Sequence, residues 1–262
     1  SDQLADAMMA QAHWQFEAFQ LGLGGPEEYT RLMHMSELYR MAMQDVLDRE
    51  GEDSPGLIAP LQGMLQAQYL ISGYELDESA QLFTEDGRPN EALLRFKSYR
   101  ARSYKQGNAI IAAIADIEQN RPDSDAGTVA QSMVMLGDWR LWNGKTEDAW
   151  EAYRAAEAEL AAADDAQVDA EQLFSEPVAL PDFDGLSPLP PAVAPEQGDI
   201  LLAFAVSERG RVQDLERMDE QELEGRQASR LMRTLRKTPF RPRFEAGQPV
   251  ETEKVVRAFD VQ

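Results

Sequence analysis

His13 and His34 are the only imidazoles in the 262-residue chain, and cysteine is absent. A zinc site needs three or four ligands converging on one point, and neither histidine has a metal-binding partner at helical spacing. Both read as exposed or core-edge side chains. Acid pairs such as Glu27-Glu28 and Asp164-Asp165 adjoin a helix start or sit in an acidic tail, where solvation and the helix dipole account for them. There is no G-x-S-x-G elbow and no P-loop. Gly22-Leu23-Gly24-Gly25 follows a helix instead of a strand, so it lacks the geometry that cradles a phosphate. The reading is a protein that is not an enzyme and carries no cofactor or metal.

One constellation has functional spacing, and it is cationic. Arg226, Arg230, Arg233 and Lys237 recur at intervals of four, three and four, which gathers them on one side of a helix, opposite Leu231 and Leu235. Arg241 and Arg243 extend this basic region. A solvated face pairing with Glu222 is one account of it, and a docking face for an acidic partner is the other. The acidic part of this same chain is one such partner.

The helix that carries these cations belongs to a strand, strand, helix, strand pattern. Ile200, Leu202, Phe204 and Val206 alternate as a strand does, Ser207-Glu208-Arg209-Gly210 makes the turn, and Val212 to Arg217 returns. Asp219 to Leu235 has helical period, with Ala228, Leu231, Met232 and Leu235 on one face. Thr238-Pro239 stops it, Glu245 to Pro249 turns again, and Val250 to Val261 suits a last strand.

In these residues the chain resembles the C-terminal domain of TonB-type periplasmic energy transducers. The features that carry the resemblance are the run Ile200 to Val206, the Gly210-Arg211-Val212 turn, and Pro239-Phe240-Arg241-Pro242 followed by Gly247-Gln248-Pro249-Val250. Phe240 is expected to plug the space between helix and sheet, while Pro242, Gly247 and Pro249 fix the path into the last strand. The proline-rich Leu189 to Ala192 stands where that family has a short leading helix. The resemblance implies a periplasmic location and a last strand that pairs with a segment of an outer-membrane receptor. It places the partner site at Val250, Thr252, Lys254, Val255, Val256 and Arg257, with Arg226, Arg230, Arg233 and Lys237 steering the partner.

Upstream, helical segments alternate with breaks at Gly22 to Pro26, Gly51 to Pro55, Gly87 to Asn90 and Arg121 to Ser124. Gly107 is a point where the long fourth segment is expected to kink or divide. Leu136-Gly137, Gly144, Ala149, Tyr153 and Ala156 resemble the tetratricopeptide repeat, in which small residues sit where two helices approach closely. Gly87, Ala92 and Phe96 echo this at the same offsets, and Gly24, Tyr29 and Met33 more weakly. The spacing between echoes exceeds the usual repeat, so long hairpins or insertions are expected.

The expected organisation is thus multidomain. An all-α tetratricopeptide-like hairpin array spans 1–174, a proline-rich connector 175–197, and a small α+β TonB-like domain 198–262, able to fold alone from Glu196. The connector holds Pro177, Pro181, Pro188, Pro190, Pro191 and Pro195; both an extended free linker and a docked one fit it.

Net charge is −22, and the first 195 residues hold 34 of the 47 acidic but only 13 of the 25 basic residues. Such a surface repels phosphate, which disfavours a nucleic-acid partner. No apolar run is long enough to span a bilayer. The expected function is a periplasmic protein-interaction module, an adaptor or energy-transduction component touching outer-membrane receptors or inner-membrane motor proteins. The alternative is a structural scaffold for envelope assembly, in which the TonB-like unit caps or forms a homodimer.

Overall fold

The computed structural model describes residues 2–76, 82–83, 87–122, 124–162, 170–183, 186–194, 197–219 and 225–260. Helix dominates up to Ala161, and a small antiparallel sheet region lies at the C-terminal end. The expected residues Asp164, Asp165, Pro195, Glu222 and Val261 lie outside the described set. Two compact units result, Ser1–Ser124 and Asp125–Gln262.

In the first unit α1 (Asp2–Gln20) packs on α2 (Tyr29–Glu50), α2 on α3 (Ile58–Gly73), and α3 on α4 (Glu91–Gln119). Asn90 caps α4 by accepting from the Leu93 N–H at 3.0 Å, which satisfies a donor left over at the helix start. α4 runs unbroken through Gly107, which is buried. The core gathers Tyr29, Leu32, Met33, Ile71, Leu93 and Phe96, with the Tyr29 and Phe96 rings 5.0 Å apart. The echoed positions Tyr29, Met33 and Phe96 are therefore core positions.

The second unit begins with a hairpin, α5 (Ala126–Trp142) and α6 (Thr146–Ala161). Asp125 caps α5 through the Thr128 N–H at 2.8 Å. Gly144 turns the chain with φ of 72°, a conformation that favours glycine. A Cβ at Gly137 would clash with the Tyr153 ring, and Ala149 is fully buried. Small residues at this crossing are what let the two helices approach.

After α7 (Ala170–Phe174), the strands are β1 (Val178–Ala179), β2 (Ala192–Val193), β3 (Ile200–Val206) and β4 (Val212–Arg217). Then come α8 (Gly225–Lys237), β5 (Phe240–Arg241), β6 (Arg243–Glu245), β7 (Gln248–Val250) and β8 (Thr252–Phe259). β2, β8, β3 and β4 make one antiparallel sheet in that order, while β1 pairs with β5 and β6 with β7. Ala228, Leu231 and Leu235 of α8 join Ile200, Leu202, Phe204, Val206 and Phe259 in one core. Phe240 is fully buried there, 5.8 Å from the Phe204 ring. Gly210 must be glycine, because its φ is 68° and a Cβ would strike the Phe240 carbonyl.

The domain boundary differs from the expected one. It falls at Ser124 and Asp125, not in the proline-rich segment, because the last helical hairpin shares its core with the strands. Phe244 of β6 packs 5.4 Å from Tyr153 and 5.7 Å from Trp150, in a cluster that includes Phe174 and Leu180. The Gly247 N–H donates to Glu157 at 2.7 Å, and Arg154 donates back to the Gly247 carbonyl. The proline-rich segment is docked, with Leu180, Leu186 and Leu189 buried and a short strand near each end.

Candidate functional site

β8 was expected as an edge strand. It lies between β3 and, at its C-terminal end, β2, which matches Ala192 with Phe259 and Val193 with Ala258. Two residues of the proline-rich segment thus occupy one end of the edge. From Thr252 to Arg257 no strand lies on that outer side among the described residues.

Alternation settles which backbone groups point outward. The Leu201 carbonyl accepts from the Met218 N–H and its N–H donates to Asp219, so Leu201 turns its peptide groups toward β4. Leu202, next along, turns them toward Arg257 in β8, and Val256 therefore directs its own to the open side. The Val256 side chain is 45 % exposed. Val255 packs against the core shared with α8.

The other expected site residues divide. Lys254 is exposed and Thr252 half-buried, with its hydroxyl oxygen shielded and lacking a hydrogen-bond partner. Arg257 is tied down, donating to the Pro177 carbonyl at 3.0 Å, and burial lowers its pKa. Val250 stands in β7 opposite Arg243, apart from the β8 edge.

Arg226, Arg230, Arg233 and Lys237 are all exposed on α8, opposite the buried Ala228, Leu231 and Leu235. Arg230 also borders a groove of about 390 Å³ with Pro188, Pro190 and Asp260. This brings the cationic face close to the end of β8 that β2 covers. Arg241 does not extend the basic surface. It is 5 % exposed and its guanidinium donates to Asp138 at 2.8 Å, because its strand β5 is paired with β1 beneath the helical hairpin. Arg243 is half-buried and pairs with Glu245.

Reading the sequence alone missed Asp138 and Phe244, the residues that fasten the hairpin to the strands. Asp138 carried one signal: a carboxylate following the apolar run Met133 to Gly137 and directly preceding Trp139. Among the described residues no group of three or more acidic or histidine side chains is arranged to hold a metal ion. None of their helices is long and apolar enough to cross a membrane. No family model matches the chain, and neither a curated protein nor a solved structure matches it.

Proposed function

We propose that this chain is a protein-interaction component of a Gram-negative cell envelope, working in the periplasm through a TonB-like C-terminal unit. Its partner is an extended segment of an outer-membrane receptor that adds as a strand along Thr252 to Arg257. The observation that carries this reading is the outward-facing backbone of Val256 on a stretch of β8 whose side away from β3 has no strand among the described residues. Backbone groups on such an edge supply affinity, and neighbouring side chains select the partner. Exposed Glu253 and Lys254 keep the edge from pairing with other copies at random. Arg226, Arg230, Arg233 and Lys237 attract an acidic flank of the partner.

The test is binding of synthetic peptides from outer-membrane receptors, followed by fluorescence anisotropy. Val256→Pro removes an outward donor and should abolish binding at every salt concentration while circular dichroism stays unchanged. Neutralising Arg230 and Arg233 should slow association chiefly at low salt, because the screening length is about 10 Å at 0.1 M. If a well-folded Val256→Pro protein binds like the parent, strand addition is wrong.

A scaffold is the second reading, and the shared core of hairpin and strands favours it. Such a composite unit presents two kinds of surface to an assembly. Sedimentation of Val256→Pro against the parent separates them, since a homodimer built on the β8 edge would dissociate.

A further inference from the structure

The outer edge of β8 offers little regular backbone to a partner. Between the matched pairs Phe204–Val255 and Val206–Thr252, β3 advances two residues while β8 advances three. The extra residue is a β-bulge, which disrupts the alternation of inward and outward peptide groups. On the Thr252 side of Val256 the bulge therefore interrupts any ladder that an added strand could build. On the other side the next outward residue is Ala258, two along from Val256. Phe259 beyond it turns inward, its carbonyl accepting from the Asp199 N–H at 3.0 Å. Ala258 already has a neighbour, because β2 sets Val193 opposite it. The regular, unoccupied edge is thus Val256 alone, which can exchange two hydrogen bonds with an added strand. Two bonds that each replace bonds to water are too few to hold a flexible peptide.

Little holds β2 in place. It has two residues, Ala192 exposed and Val193 half-buried, so it covers little apolar surface. Pro190 and Pro191 precede it and have no N–H with which to lengthen its ladder. The chain is fastened on either side of these two rungs. Upstream, Leu189 is buried in the core that contains α8. Downstream, the Asp199 N–H is bonded to Phe259. β2 can part from β8 while both anchors stay. We propose that β2 is a displaceable strap: the partner strand takes the place of Val193 opposite Ala258 and pairs along β8 from Val256 to Ala258. This rests on strand addition at β8. Without a partner, β2 covers the end of an edge that would otherwise pair with other chains. Strap and partner compete for the same N–H and carbonyl, so the apparent affinity is the intrinsic one reduced by the fraction of molecules with β2 open.

Labelled peptides from outer-membrane receptors, titrated with the full chain and followed by fluorescence anisotropy, test the strap. Val193→Pro deletes the N–H that β2 gives to Ala258 and should tighten binding about threefold or more. Val193→Cys combined with Ala258→Cys locks the strap. A hydrogen-bonded antiparallel pair has its Cα atoms about 5.5 Å apart, within the span of a disulfide. The chain has no cysteine of its own, so oxidation of this variant should weaken binding about tenfold or more and reduction should restore it. Amide hydrogen exchange reads the strap with no partner present. The Ala258 N–H should exchange about tenfold faster than that of Arg257, which faces β3, and should lose its remaining protection in Val193→Pro. The strap is overturned if the oxidised and reduced proteins bind alike, if Val193→Pro binds no tighter than the parent, or if Ala258 is as protected as Arg257. Val256→Pro separates the strap from the edge itself. Loss of binding there, with no effect of the Val193 variants, removes the strap and leaves strand addition standing; if no peptide binds either the parent or Val193→Pro, both fall.

Discussion

Arg241 Nη1 lies 2.8 Å from Asp138 Oδ2, across 103 positions of sequence. The Tyr153 hydroxyl donates to the other carboxylate oxygen at 2.7 Å, and Asp182 stands 3.6 Å from the second guanidinium nitrogen. Burial pushes the Asp138 carboxyl up to about 6, against the pull of Arg241 and Tyr153. Burial is the largest single influence on Arg241 and works to lower it, but the Asp138, Tyr153 and Asp182 charges and the hydrogen bond to Asp138 together leave the guanidinium raised. Both groups are raised, which works against the charged form of Asp138 and for that of Arg241, yet both leave an ion pair at neutral pH. Removing one member of such a pair strands the other in a dry interior.

Arg241→Met should therefore destabilise the C-terminal unit by about 3 to 5 kcal/mol, read from urea unfolding. Adding Asp138→Asn to that variant should restore part of the loss. A double variant as unstable as Arg241→Met alone would mean that the pair is not what the substitution disrupts.

The pH dependence follows from the same carboxyl. Asp138 has an ordinary value of 3.8, raised to about 6 in the fold. Between those values the folded chain holds a proton that the unfolded chain has lost. This group's contribution to stability is therefore greatest at acid pH and falls as pH rises toward 6. Asp138→Asn lacks this titration. The stability of Asp138→Asn minus that of the parent should grow from pH 4 to pH 6 and level off above; a flat difference would place the carboxyl at its ordinary value.

A third expectation concerns autonomy. Residues 125–262 expressed alone should unfold cooperatively, whereas 196–262 should not, because it exposes Phe244 and strips Arg241 of both Asp138 and its strand partner Val178. Trp139, Trp142 and Trp150 report on the longer fragment, and Trp14 lies in the other unit. Cooperative unfolding of 196–262 by circular dichroism would return the boundary to the proline-rich segment.

This boundary shows where sequence reading stops. Strands β3 and β4 were legible because their alternation is local, and Phe240 because proline and glycine fix its surroundings. The cationic row on α8 needed only the helical period. Nothing local distinguishes Arg241, a core cation, from Arg243 two residues on. β1 and β2 are two residues each, too short for any periodicity, so their capture of the proline-rich segment was invisible. The open edge of β8 was half legible, since the two rungs that cover its end come from that same segment.

At the helical crossing, Gly137→Ala places a methyl group into the Tyr153 ring, and Ala149→Leu overpacks a fully buried position. Each should cost about 1 to 3 kcal/mol in thermal or urea unfolding. A change on the exposed side of α6, such as Glu151→Gln, should be nearly neutral. If Gly137→Ala melts like the parent, the hairpin has more room than its close packing implies.

Separation along the chain also sets a clock. During synthesis at about 5 to 20 residues per second, Asp138 is made roughly 5 to 20 s before Arg241. Throughout that interval the helical hairpin carries a carboxylate without its cation, and Trp150 and Tyr153 lack the Phe244 ring that covers them. The hairpin is thus held unfinished on the ribosome until the C-terminal strands arrive, and a chain truncated before Phe240 displays its aromatic surface to chaperones and proteases.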